Sequence, residues 1–263
     1  MTKYSFEDIK DAYTQKRKWE KQFPINFFLV RPLSFRLTYV VLGLTHNPAR
    51  IAVFGFIIGI LGCLALICLS FCSIWPGLFL IFCYSLLDAV DGNVARTTNN
   101  VTLFGKYLDG LLGDLIDGSY PFFLGIGLYI SGDALQHNYI VSLSDAHATV
   151  LPLFLGAFIL ISRLWAKLFQ AGHEAYRVKK EGRAPAGESE LKKPTGTSRH
   201  SDRWYYLLFL NVDCLNNQLL LLTILALLGF EIYFLIFLSF FFLVKAVFYF
   251  FYYYSKTKSL LIT

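Results

Sequence analysis

Five aspartates fall between Asp88 and Asp117: Asp88, Asp91, Asp109, Asp114 and Asp117. Apolar sequence flanks the stretch on both sides, which puts these carboxylates at or just inside a membrane boundary. An ionisable side chain there is costly and generally has a function. Asp88 and Asp91 are three residues apart and share one helix face. Gly92, Ala95 and Arg96 follow, bringing two carboxylates, a gap without a side chain and a guanidinium to one helix end. Gly105 opens a second helix, with Asp109 one turn further on. Carboxylates converging from two antiparallel helices supply the oxygen ligands of a hard divalent ion, which is often shared with substrate phosphate. A cluster of solvated loop acids would account for the carboxylates, but not for Gly92, Ala95, Arg96 and Gly105.

The stretch resembles the signature of the CDP-alcohol phosphotransferase family of integral membrane enzymes, D-x2-D-G-x2-A-R-x8-9-G-x3-D-x3-D. Asp88, Asp91, Gly92, Ala95, Arg96, Gly105 and Asp109 match in type and spacing. The last aspartate of the pattern falls on Gly113, and an aspartate comes one residue late, at Asp114. The resemblance implies transfer of a substituted phosphoryl group from a CDP-alcohol, CDP-diacylglycerol foremost, to an acceptor hydroxyl with release of CMP. It implies two Mg²⁺ or Mn²⁺ ions about 3.5–4 Å apart, with Asp88 and Asp109 touching both and Asp91 completing one. The last carboxylate, read here as Asp114, would reach the second ion and act as the general base. The donor site implied is Asp88, Gly92, Ala95, Arg96, Thr102 and Gly105. In it Gly92 lets the nucleotide approach the backbone, Ala95 keeps that face narrow and Arg96 offers a planar fork to the diphosphate. Thr102 matches a hydroxyl that contacts the donor in several members, or simply starts a helix.

The displaced aspartate sets a geometric condition. On a regular helix Asp114 points about 140° away from Asp109, at 100° per residue. One wide π-turn would bring it back, and Gly110 and Gly113 make such an irregularity cheap. Asp117, at about 80° from Asp109, is the other candidate base.

The elements that position these residues follow from composition. A chain of 263 residues that is 56% hydrophobic, 17% aromatic and 16% charged is not a soluble globular domain. The fold expected is an all-α integral membrane protein with six transmembrane helices and an N-terminal amphipathic interfacial helix. Residues 1–47 form the cytosolic and interfacial N-terminal helices, with a capping box at Ser5 and Asp8 and an apolar stretch broken by Arg31, Pro32 and Arg36. Residues 48–254 form the catalytic transmembrane domain, and 255–263 a cytosolic tail. Asn47-Pro48 starts the first span, running to Phe71. The second starts at Pro76, the third runs from Leu103 to Ser131, and the fourth ends at Gln170. Residues 171–203 read as a polar cytosolic loop, the fifth span as Tyr205–Phe230 and the sixth as Ile232–Tyr254. Many members of the resembling family carry Pro-Asn-x-aliphatic-Thr at the first span; Pro48–Ala52 keeps the outline and loses both polar side chains. Cys63, Cys68, Cys72, Cys83 and Cys214 lie in apolar segments without metal-ligand spacing and read as small membrane hydrophobes.

Charge sets orientation and partners. The three outer connections expected from this layout contain no Lys or Arg, so the positive-inside rule puts both termini and the active site on the cytosolic side, with a bacterial inner membrane as the setting. The net charge of +6 then suits anionic headgroups and a phosphorylated substrate, not nucleic acid. Arg31, Arg36, Arg163, Asp213 and Lys245 are candidates for the acceptor pocket, with a phosphorylated acceptor favoured if the arginines converge. Asn211, Asn216 and Asn217 interrupt the fifth span and either join that pocket or hydrogen-bond between helices. A homodimer is expected. The rival readings are a membrane prenyl transferase, which would show two separate aspartate motifs, an inactive homologue, and a divalent-ion transporter, whose acids would lie nearer mid-membrane.

Overall fold

The structure, a computed structural model, describes residues 4–68, 73–131, 145–181 and 204–262. Among the described residues every regular element is helical: α1 (Phe6–Glu20), a π-helical turn (Asn26–Val30), α2 (Arg31–Val41), α3 (Pro48–Ile67), α4 (Trp75–Thr97), α5 (Leu103–Ser131), α6 (Asp145–Glu181), α7 (Trp204–Asp213), α8 (Leu215–Leu227) and α9 (Glu231–Ile262). Four of them are long and apolar enough to cross a membrane: Pro48–Ile67, Trp75–Thr97, Val150–Lys180 and Glu231–Lys258. Helix α5 has the length, at 29 residues, but Lys106, Asp109, Asp114 and Asp117 in its first half lower its hydropathy.

Two compact units divide the chain. The first comprises Met1–Gly62, Trp75–Ile116 and Glu188–Thr223. Its N-terminal helix starts at the expected capping box: the Ser5 amide donates to Asp8 Oδ2 at 2.6 Å and the Asp8 amide to Ser5 Oγ at 3.1 Å. The Ser5 backbone hydrogen bond holds the Asp8 carboxyl below its ordinary value. Ile9 of α1, Leu42 just after α2, Ile51 of α3, and Val90 and Val94 of α4 form one buried cluster, so α1 and α2 pack on the signature end of α4. At about 2 kcal/mol for a fully buried aliphatic side chain, Ile9 alone is a sizeable part of what holds α1 down. Asn47 Oδ1 accepts from the Ala49 amide at 3.0 Å, the cap expected at the start of α3.

The expected fifth span is not one helix. The chain breaks between α7 and α8 at Cys214; Asn217 and Gln218 supply the carbonyl partners that the break needs, while Asn211 reaches a carbonyl near the N-terminus. Asn217 Nδ2 donates to the Asn211 carbonyl at 2.9 Å, Gln218 Nε2 to the Val212 carbonyl at 2.7 Å, and Asn211 Nδ2 to the Gln22 carbonyl at 2.9 Å. Asn216 bridges Asn26 and Ser85. These side chains join helices within the first unit.

The second unit comprises Cys63–Ile74, Asp117–Gly187 and Ile224–Thr263. In it α6 and α9 pair in parallel, since contacts climb both chains together: Ser239 with Leu155, Phe242 with Arg163, Phe250 with Phe169 and Thr257 with His173. Pro152 and Gly156 of α6 lie against α5, where a Cβ on Gly125 would meet the Pro152 carbonyl oxygen at 2.4 Å. Three boundaries differ from expectation. Helix α3 stops at Ile67, α6 continues past Gln170 to Glu181, and α9 takes in the tail as far as Ile262. The last two are polar extensions of apolar helices, which hydropathy alone cannot follow. Cys72, the outer connection over 132–144 and the loop over 182–203 lie outside the described residues.

Candidate active site

Helix α4 ends in the signature residues and α5 faces it after a short turn. Thr102 caps α5: its Oγ1 accepts from the Gly105 amide at 3.0 Å, as an N-cap threonine does. A Cβ on Gly105 would approach that oxygen to 3.0 Å, so the glycine makes room for the cap. The hairpin brings Asp88, Asp91 and Asp109 together, with one carboxylate oxygen from each lying within 4.8 Å of the others. Asp91 is buried, whereas Asp88 and Asp109 are exposed. Like charges about 4 Å apart repel by about 1 kcal/mol in water and about 4 kcal/mol near a protein surface. Three oxygen donors crowded in this way fit a hard divalent ion, and nothing in the donor set favours a softer one.

Next to the acids lies a buried network that the spacing alone does not reveal. The Arg96 guanidinium lies over Gly92, where a Cβ would meet Nη2 at 3.2 Å and Nη1 at 3.3 Å; the glycine gap is filled by the arginine of its own helix. Arg96 Nη2 donates to Asn93 Oδ1 at 2.9 Å, and Arg31 Nη1 donates to the same oxygen at 3.1 Å. Asn93 Nδ2 donates to Ser34 Oγ and to Thr38 Oγ1, both at 3.2 Å, so Asn93, 2% exposed, uses every hydrogen bond it can make. Arg31 pairs with Glu20 at the end of α1. Glu20 also accepts from the Tyr13 hydroxyl; burial first, then Glu20, pushes that phenol up and keeps it protonated. The buried Arg96 Nε has no hydrogen-bond partner. A donor of that kind suits an anion such as a diphosphate oxygen. The signal in the sequence was the spacing Arg31, Ser34, Thr38, one stripe along α2.

Other expected residues fall as follows. The π-turn that would restore Asp114 is not there, because α5 is α-helical throughout Leu103–Ser131. Among the described residues, a π-helical turn occurs at Asn26–Val30 instead. A regular helix carries Asp114 about 140° from Asp109, and Asp114 is exposed and outside the group formed by Asp88, Asp91 and Asp109. Asp117, in the second unit, is held by Arg163: Nη1 donates to its carbonyl at 2.6 Å and Nη2 lies 3.7 Å from its carboxylate, while the guanidinium stacks over Phe242. Lys245 is buried beside Phe242 and Tyr249. Arg36 is exposed on α2, and Asp213 ends α7. Ala52, Gly55 and Tyr84 line the cleft in front of the three acids. Ala52 is the position where the resembling family's first-span pattern has threonine.

A family model described as CDP-alcohol phosphatidyltransferase matches residues 45–187, a stretch that takes in α3, α4, α5 and α6. No curated protein matches the chain. The match covers more than half of the sequence and contains the converged carboxylates, Arg96 and the capped start of α5. The chain belongs to the CDP-alcohol phosphatidyltransferase family.

Proposed function

We propose that this protein transfers a substituted phosphoryl group from a CDP-alcohol, CDP-diacylglycerol foremost, to the hydroxyl of an alcohol acceptor and releases CMP, as a step in phospholipid biosynthesis. The observation that carries this reading is the convergence of Asp88, Asp91 and Asp109 within 4.8 Å beside an arginine that keeps a spare buried donor. Asp88, Asp91 and Asp109 would hold Mg²⁺ or Mn²⁺, which when bound neutralises the diphosphate and the charge left on the departing phosphate. Arg96, fixed by Asn93 and spread over Gly92, turns donors toward the diphosphate. Glu20 offsets the charge of Arg31, so the cluster of Arg31, Arg96 and Glu20 keeps one net positive charge for an anionic donor. Six crossings fit the parallel pairing of α6 and α9, because two parallel helices in one chain require a return between them, and the positive-inside rule favours a cytosolic site.

The test is CMP release by the purified protein in lipid micelles, with CDP-diacylglycerol and a panel of acceptors: glycerol 3-phosphate, inositol phosphate, serine and ethanolamine. Asp88→Asn and Asp109→Asn remove one negative ligand each without changing size. Both should abolish CMP release and the rise in melting temperature that Mg²⁺ or Mn²⁺ gives the wild type, with the helical content unchanged. Wild-type turnover in either variant would sink the assignment.

A further inference from the structure

The break between α7 and α8 has spent its asparagine donors and keeps oxygens to spare. Asn211 Nδ2 donates to the Leu207 carbonyl at 2.8 Å and to the Gln22 carbonyl at 2.9 Å. Asn217 Nδ2 donates to the Asn211 carbonyl at 2.9 Å and to Asn211 Oδ1 at 2.8 Å. An amide nitrogen carries two hydrogens, so neither side chain has another to give. Exchanging the ends of either amide would set oxygen against oxygen, which fixes both orientations. Cys214 Sγ and Asn216 Nδ2 are directed to Asn26 Oδ1. Asn217 Oδ1 is then buried with no hydrogen-bond donor, and Gln22 Oε1 is buried in the same condition. One side chain, Asn211, joins Gln22 to Asn217. Asp213, the last residue of α7, adds a carboxylate at a helix end where the macrodipole is negative.

We propose that this break binds one monovalent metal cation, with Asn217 Oδ1, Gln22 Oε1 and the Asp213 carboxylate among its ligands. Hard cations take carboxylate and amide oxygens, and interrupted membrane helices present such oxygens to Na⁺. One carboxylate among neutral amides balances a single charge, unlike the three carboxylates of Asp88, Asp91 and Asp109. A buried water would serve the two amide oxygens but has no need of the carboxylate. Both amide oxygens are buried, which suits a dehydrated ion rather than the headgroup of an alcohol. The ion ties the turn after α1 to the start of α8, where Asn216 accepts from Ser85 of α4 at 2.9 Å.

The test is thermal melting of the purified protein in lipid micelles with EDTA, Na⁺ or K⁺ replacing N-methylglucamine at constant ionic strength. The melting temperature should rise saturably with Na⁺, K⁺ or both. No saturable rise with either ion means that the spare oxygens hold water, and overturns the proposal. Gln22→Met keeps the side-chain length, removes one oxygen and leaves the Gln22 carbonyl to Asn211. Half-saturation should then need at least about tenfold more ion, the scale on which even a supporting group of a metal site acts. Asp213→Asn should abolish the rise. Wild-type half-saturation in Gln22→Met, or a wild-type rise in Asp213→Asn, overturns the proposal as well; if Asp213→Asn fails to fold, Gln22→Met alone decides. Asp88→Asn should keep the rise, and its loss there would move the ion to the three-carboxylate group and overturn this assignment. Melting needs no turnover, so failure of the transferase reading leaves the result standing.

Discussion

At the scale of single residues, Asn93 does more than its unmarked place in the signature suggests. It takes two guanidiniums on one oxygen and two hydroxyls on its nitrogen. Ser34 and Thr38 also donate to backbone carbonyls of α2, so the cost of losing Asn93 falls on Arg31 and Arg96. Asn93→Leu keeps the volume and removes both contacts. A hydrogen bond to a charged group contributes about 1.5–3 kcal/mol, so binding of the CDP-alcohol donor should weaken by at least about tenfold. Titration of the purified variant with CDP-diacylglycerol measures this, and wild-type affinity would show that Arg96 is fixed by other means.

At the scale of elements, α1 is tied to the active site by a buried ion pair. Glu20 and Arg31 have side chains 3% and 8% exposed. Removing one partner of a buried pair leaves an uncompensated charge and costs about 3–5 kcal/mol. Glu20→Ala should therefore lower the melting temperature strongly and free α1, read as rapid hydrogen exchange over Phe6–Glu20. Unchanged protection there would mean that Ile9 and Tyr13 hold the helix alone. The other end of α1 carries a pH signature. The Asp8 carboxyl is lowered from 3.8 by its hydrogen bond from the Ser5 amide. A depressed folded value means that its stabilisation is complete above 3.8 and is lost as pH falls through the folded value. First-turn amides should lose protection below that point, and Ser5→Ala should weaken the cap; a flat profile in the wild type would contradict this.

At the scale of the molecule, each unit depends on backbones that approach closely. In the second unit α5 and α6 touch through Gly125 and Gly156, where added Cβ atoms would meet the Pro152 carbonyl oxygen at 2.4 Å and the Phe122 Cα at 2.9 Å. Small residues permit such contact where lipid gives helices no hydrophobic reason to associate. Gly125→Val should force α5 and α6 apart and destabilise the protein by about 1–3 kcal/mol, the usual cost of overpacking, seen as a lower melting temperature in micelles. A conservative loss of stability with wild-type CMP release would show that the second unit supports the fold without shaping the chemistry.

The sequence by itself determined the family and the carboxylate cluster of the candidate site. Asp88, Asp91, Gly92, Arg96, Gly105 and Asp109 are spaced by helix geometry, so 100° per residue suffices to bring them to facing ends of a hairpin. Apolar length likewise marked α3, α4, α6 and α9, and local chemistry marked the caps at Ser5, Asn47 and Thr102. Only the tertiary structure decided the rest, because those contacts join residues far apart in the chain. Glu20, Arg31 and Asn93 meet across α1, α2 and α4, the fifth span breaks where Asn217 and Gln218 can satisfy its carbonyls, and α5 stays α-helical past Gly113. A signature fixes which residues one helix presents; what stands opposite Gly113, here Tyr84, depends on the register of a second helix and on glycines of a third.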